Sequence, residues 1–180
     1  SYKAFLAKLE PGHPALEILE NNLLALVERL GNHDLAIELY ERRFKRRRRM
    51  LNAGNSKTLN ALWNLADSQY SAALKHERGS QLQKQYLLDS EQNFELAVAY
   101  CKKDPTKSES ALRLQEVIAL IKLRLEEPTV AVRILEEVWK QRQSQLAEKP
   151  VRAMHVLSLL AAAYRADEKF TQELDALTQL

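Results

Sequence analysis

Apolar side chains recur along this chain at intervals of three and four residues, with charged and amide side chains between them. Leu35, Ala36, Leu39, Tyr40 and Phe44 form one such stripe, and Leu59, Leu62, Leu65 and Ala66 form another. Leu87, Leu88, Phe94, Leu96, Ala97 and Tyr100 make a third, followed by Leu112, Leu114, Ile118, Ala119 and Ile121. Val130, Ala131, Ile134, Leu135, Val138 and Trp139 make the next, then Leu157, Leu160, Ala161 and Tyr164, and finally Phe170 and Leu174. That spacing keeps one face of an α-helix apolar and predicts a succession of amphipathic helices. Tyr40, Phe44, Phe94, Trp139 and Phe170 are expected in the core.

The helices are organised by a repeat. The His13-Pro14 block returns 42 residues later at Asn55-Ser56, and Asn21 to Ala25 fall against Trp63 to Asp67 in the same register. A period of twenty to fifty residues marks stacked supersecondary units. The repeats are expected at about 13–54, 55–107, 108–149 and 150–180, within a single solenoid domain over 1–180. Turns are expected at Gly31-Asn32-His33-Asp34, Glu127-Pro128-Thr129 and Asp167-Glu168, and Ala53-Gly54-Asn55 is expected to end a helix through a left-handed glycine. The second repeat is about eleven residues longer than the others. Eleven residues are close to three helical turns, so an insertion near 71–82 is expected to lengthen two helices around Gly79-Ser80 into a protruding tip. The expected fold class is all-α, a right-handed α-α superhelix of about four helical hairpins.

Composition supports helices over strands, because four glycines and five prolines in 180 residues are too few for the turns of a multi-stranded sheet. The single cysteine, Cys101, excludes an internal disulfide framework and cannot alone build a thiolate metal site. It points to a reducing, cytoplasmic setting. No apolar run is long enough to span a membrane, and no secretory signal is visible. The chain opens on Ser1 rather than methionine, which suggests a piece of a longer protein.

His13, Pro14, Asn22, Leu23, Gly31 and Ala36 in the first unit resemble the 42-residue tetratricopeptide repeat (TPR) of kinesin light chains and of many bacterial and fungal signalling proteins. Asn64-Leu65-Ala66 and the set Ala161, Tyr164 and Phe170 continue the resemblance. Unit two lacks the Gly-to-Ala signature and unit three lacks the Asn-Leu pair. The resemblance implies a groove lined by the first helix of each repeat that holds an extended peptide or a partner helix. It points to Asn21, Asn22, Ala25 and Glu28 in unit one, and to Asn60, Trp63, Asn64, Asp67 and Tyr70 in unit two. In units three and four it points to Arg113, Glu116, His155 and Arg165. An asparagine amide both donates and accepts, so Asn22 and Asn64 suit a peptide backbone; tying one repeat to the next is the competing role. Trp63 is either a binding hot spot or a packing residue between helices.

Arg42, Arg43, Lys45, Arg46, Arg47, Arg48 and Arg49 put seven cations into eight residues at a helix end. A helix C-terminus favours cations, and Glu17, Glu20, Glu28, Glu38 and Glu41 offer intramolecular partners. Acidic or phosphorylated proteins and nucleic acid are the alternatives. The net charge of only +3 and the lack of an aromatic stacking platform argue against nucleic acid.

No arrangement typical of catalysis is visible. His13, His33, His76 and His155 are scattered, glycine is too scarce for a phosphate-cradling loop, and Glu126-Glu127 and Glu136-Glu137 diverge on a helix. The expectation is therefore no enzyme, no cofactor and no metal. The expected function is protein-protein interaction, with a peptide, a partner helix or another domain of the same chain as ligand, inside a larger signalling or regulatory protein. Binding of nucleic acid or an acidic ligand through residues 42–49 is the alternative, and the oligomeric state is open.

Overall fold

The computed structural model describes residues 13–144 and 150–178, except for the side chains of Pro14, Phe170 and Leu174. Its elements are α1 (Pro14–Arg29), α2 (His33–Met50), α3 (Ser56–Ala73), α4 (Gln81–Cys101), a 3-10 turn (Pro105–Lys107), α5 (Ser108–Arg124), α6 (Pro128–Gln143), α7 (Pro150–Ala166) and α8 (Phe170–Thr178). Among the described residues there is no strand. The sequence expectations for the Phe170 and Leu174 side chains and for residues 179–180 lie outside the described residues.

The first helices of successive hairpins begin at Pro14, Ser56, Ser108 and Pro150, so the intervals are 56 − 14 = 42, 108 − 56 = 52 and 150 − 108 = 42. The starts at Pro14, Ser56 and Pro150 have a local cause. His13 Nδ1 accepts from the Ala15 N–H at 3.1 Å, Asn55 Oδ1 accepts from the Lys57 N–H at 2.9 Å, and a proline opens α1, α6 and α7.

Half of the extra length in the second repeat lengthens its two helices. α3 has 18 residues against 16 in α1, and α4 has 21 against 18 in α2. Most of the rest goes to the turn at 74–80, which is longer than the one at 30–32. Gln83 orders that turn: its side-chain amide accepts from the Gly79 N–H at 2.8 Å and donates to the Ala73 carbonyl at 3.3 Å, while its own N–H reaches Ser80 Oγ. One buried glutamine therefore caps both the end of α3 and the start of α4.

The other three hairpin turns share one geometry. After α1, the Gly31 N–H donates to Glu28 O and the Asn32 N–H to Val27 O; after α5, Glu126 and Glu127 donate to Leu123 and Lys122; after α7, Glu168 and Lys169 donate to Arg165 and Tyr164. These are Schellman closures, which need a left-handed residue just past the helix. Gly31 supplies it at φ 66°, but Glu126 (φ 63°) and Glu168 (φ 58°) supply it with a side chain attached. Glu126→Gly and Glu168→Gly are expected to stabilise the chain by about 0.5 kcal/mol each, relief of left-handed strain exceeding the added chain entropy. Thermal denaturation checks this, and Gly31→Ala should run the other way. Gly54 differs from its expectation: α2 ends earlier, at Met50, and Gly54 does not take a positive φ.

The chain divides into two compact units, residues 1–93 and 94–180, with the boundary inside α4. The core of the first is built from Leu16, Leu24, Val27, Leu39, Phe44, Leu62, Leu65 and Leu87. Thr58 is fully buried beside them, and its Oγ1 has no hydrogen-bond partner among the described residues. In the second, Leu112, Ala119, Leu135, Val138, Val156, Leu157, Leu160 and Tyr164 cluster, with Trp139 half-buried against them. Leu88, expected inside, is exposed, because the buried line of α4 runs through Leu87, Phe94, Val98 and Cys101 and Leu88 lies one step round the helix. Among the described residues no helix is long and apolar enough to cross a membrane.

Candidate binding faces of the two units

In the first unit, α1 and α3 each bury one side and present a polar ridge on the other. Leu16, Glu20, Leu24 and Val27 are buried on α1, whereas Asn21, Asn22, Ala25 and Glu28 are exposed. On α3, Leu59, Leu62, Leu65 and Ala66 are buried, and Asn60, Asn64 and Asp67 are exposed at positions that share a face, with Trp63 half-buried among them. Tyr70 continues the ridge, half-buried.

A tyrosine from α2 joins the two ridges. The Tyr40 hydroxyl donates to Glu28 Oε1 at 2.6 Å, and burial together with that bond pushes its pKa far above the ordinary tyrosine value. Asp67 also acts on Tyr40 electrostatically, so Glu28, Tyr40 and Asp67 form one local group. The Asp67 carboxyl is raised above the usual aspartate range, first by burial and then by repulsion from Glu28. Neither cause is a cation. Arg43, 6.0 Å from the Tyr40 ring centre, is the cation that acts on Tyr40 against these carboxylates, but it is not among the causes acting on Asp67.

Asn21 has a different role from its neighbours. Its amide oxygen accepts from Arg43 Nη2 at 2.8 Å, and Arg43 also donates Nε to Glu20 at 3.2 Å and lies 6.0 Å from the Tyr40 ring centre. That places Asn21 in the internal network, tying α1 to α2.

The basic run separates into three groups. Arg43 is buried on Glu20, so it does not belong to an exposed patch. Arg46 forms a second bond to Glu20, with Nη2 to Oε2 at 2.6 Å; Arg47 pairs with Glu17 and donates to the Lys57 carbonyl at 3.0 Å. Arg42 and Lys45 pair along the helix with Glu38 and Glu41. Arg48 and Arg49 are exposed and form no ion pair among the described residues. Antiparallel packing explains the partners, since the first half of α1 lies beside the last half of α2. Glu17 and Glu20, three residues apart on α1, were the sequence signal for this pairing.

The second unit does not gather its sequence-predicted residues into a comparable face. His155 is exposed on α7. Arg113 is exposed and pairs with Glu109 at 3.3 Å; Arg165 donates Nε to Glu173 at 2.7 Å. Glu116 corrects its expectation as a groove residue: it is 8% exposed and accepts from Arg142 Nε at 2.8 Å. Arg142, which sequence reasoning missed, comes from α6 and is 2% exposed. It also reaches Glu109, where Arg152 meets it.

No family model matches the sequence, and no curated protein does either. Solved structures do match. A kinesin light chain TPR-like repeat protein of Podosopora anserina is 21% identical with a TM-score of 0.76, covering 98% of this chain and 79% of that one. A variant of the same protein matches at 0.75. BtubC (BKLC) of P. vanneervenii is 18% identical with a TM-score of 0.73, over 96% of this chain and 63% of its own. The chain therefore has the all-α, TPR-like repeat fold that its sequence resemblance implied.

Proposed function

We propose that this chain is a non-catalytic protein-binding module that holds an extended peptide or a partner helix against the α1–α3 face of its first unit, and that the ligand contributes a lysine or arginine. One observation carries the reading: Glu28 on α1 and Asp67 on α3 are both exposed, and the Asp67 carboxyl is raised by burial first and then by the Glu28 charge, with no ion pair of its own among the described residues. A ligand ammonium or guanidinium would remove that repulsion. Asn22, Asn60 and Asn64 stand exposed on the same ridges and can bond a peptide backbone through either end of their amides. Trp63 supplies an apolar, half-buried surface for the ligand's aliphatic stem. The reading places the module within a larger signalling or regulatory protein of the cytoplasm.

Selection from a degenerate displayed peptide library tests this directly. Bound sequences are expected to be enriched in lysine or arginine and to lose about tenfold or more in affinity on Trp63→Ala. Selected peptides that are acidic, or that bind Trp63→Ala and the unchanged protein equally, would rule the face out.

A further inference from the structure

Asp67 stands between two aromatic residues on the ridge of α3. Trp63 lies four residues before it and Tyr70 three after it, a spacing that puts all three on one face of the helix, and both aromatic residues are half-buried there. Long helical side chains reach back toward the helix N-terminus, which lays Tyr70 over the turn that carries Asp67. Asp67 is exposed, yet burial is the first cause raising its carboxyl, as an aromatic cover on one side of it would produce.

Hydrogen-bond acceptors gather around that carboxyl. Glu28 Oε1 already accepts from the Tyr40 hydroxyl, which uses up the donor that α2 brings to this face and leaves the second Glu28 oxygen. Three residues before Asp67, the exposed Asn64 adds an amide oxygen on the same ridge. Arg43, the cation that acts on Tyr40, is turned toward α1, with Nε bonded to Glu20 and Nη2 to Asn21. A ligand group suited to this place has several donors, no acceptor and a flat face for the aromatic ring.

We propose that this face selects arginine over lysine in its ligand, with the guanidinium forked on the Asp67 carboxylate and stacked against the Tyr70 ring. The inference rests on the peptide-binding reading above and narrows its ligand. A guanidinium carries five N–H donors in one plane and no acceptor. Two of them can bond the Asp67 oxygens side by side, and the others are left for the second Glu28 oxygen and the Asn64 amide oxygen. Its flat face then covers the ring, where a cation is held by the aromatic electrons. A lysine ammonium is a compact, strongly hydrated point charge, which answers the carboxylates and leaves the ring unused. Tyr70 is therefore the residue that sets the choice between the two.

The test takes a basic peptide recovered from the degenerate library, made with arginine, lysine or citrulline at the basic position, and titrates each version into the full chain by calorimetry. Lysine is expected to bind about tenfold more weakly than arginine, and citrulline, which keeps the shape but not the charge, more weakly still. Tyr70→Leu should bring the arginine and lysine peptides within about twofold of each other, whereas Tyr70→Phe, which keeps the ring, should retain the preference. That ratio does not move with a general loss of stability. A second reading needs no variant: in the bound peptide the arginine δ protons should shift upfield in the ring current of Tyr70. Equal affinity for the arginine and lysine peptides, a preference that survives Tyr70→Leu, or unshifted δ protons overturn this inference and leave the peptide-binding reading standing. A library that yields only acidic peptides removes both.

Discussion

Replacing Arg142 with alanine is expected to cost about 3–5 kcal/mol of folding stability, the range for breaking a buried ion pair from one side. Arg142 is 2% exposed and its Nε is 2.8 Å from Glu116 Oε1, while Nη1 reaches both Glu109 oxygens at 3.2 and 3.3 Å. Removing it strands the Glu116 carboxylate beneath the packed side chains of α5 and α6. Glu109 suffers less, because Arg113 and Arg152 remain on it. The desolvation of Glu116, and not the lost attraction, therefore dominates the effect. Replacing both partners by apolar groups, as in Arg142→Met with Glu116→Leu, should recover most of the loss, since nothing charged is then left buried. Urea denaturation followed by circular dichroism checks both. A loss below about 1 kcal/mol for the single variant, in the range of surface pairs, would show that water reaches the site.

The same cluster sets an acid limit. Burial works against the Glu109 carboxylate, but the charges of Arg142 and Arg152 and the bonds from Arg142 and Arg113 outweigh it, so its pKa lies below the ordinary glutamate value. A carboxyl with a lowered folded pKa contributes stability above its unfolded pKa and loses it as pH falls toward the folded value. Stability from this cluster is therefore full at neutral pH and declines below the ordinary glutamate range.

Helix positions and the repeat period were readable in the sequence because each depends on neighbours a few residues away. Proline and asparagine mark helix starts where they stand, and the 3.6-residue spacing of leucine and alanine picks the buried face. Gly31 announced its turn because glycine tolerates positive φ. Glu126 and Glu168 adopt the same geometry without such a residue, so Pro128 and the repeat register had to point to those turns. Leu88 shows the limit of hydrophobicity as a guide, since it lies one step round α4 from the buried line and stays exposed although it is a leucine. Arg43, Arg142 and Glu116 were harder still. Whether a charge is buried depends on a partner 23 residues away for Arg43 and 26 for Arg142, and that pairing is settled by helix packing. The proposed binding face was legible as a set of polar positions, Asn60, Trp63, Asn64 and Asp67. Its charge was not, because the opposition of Glu28 and Asp67 arises only when α1 and α3 are brought together.

Asp67→Asn should separate folding from binding more sharply than any other substitution on this face. In the folded chain burial and the Glu28 charge raise the Asp67 pKa. A carboxyl whose folded pKa lies above its unfolded value opposes folding when ionised, and that penalty is relieved as pH falls through the folded pKa. At neutral pH the neutral, isosteric asparagine is therefore expected to raise the melting temperature. Binding of a lysine- or arginine-bearing peptide should move oppositely, weakening by about tenfold or more as one of the two carboxylates facing the ligand cation is lost. The pH dependence follows from the same sign. Affinity for such a peptide should fall on acidification at a higher pH than an ordinary aspartate would give, because Asp67 accepts its proton earlier, and in Asp67→Asn that step should vanish. Paired melting curves and peptide titrations across the acidic range measure both effects. A variant that melts lower than the parent would remove the strained carboxylate from the account. One that melts higher but binds as well as before would leave the repulsion real and show that the ligand does not use it.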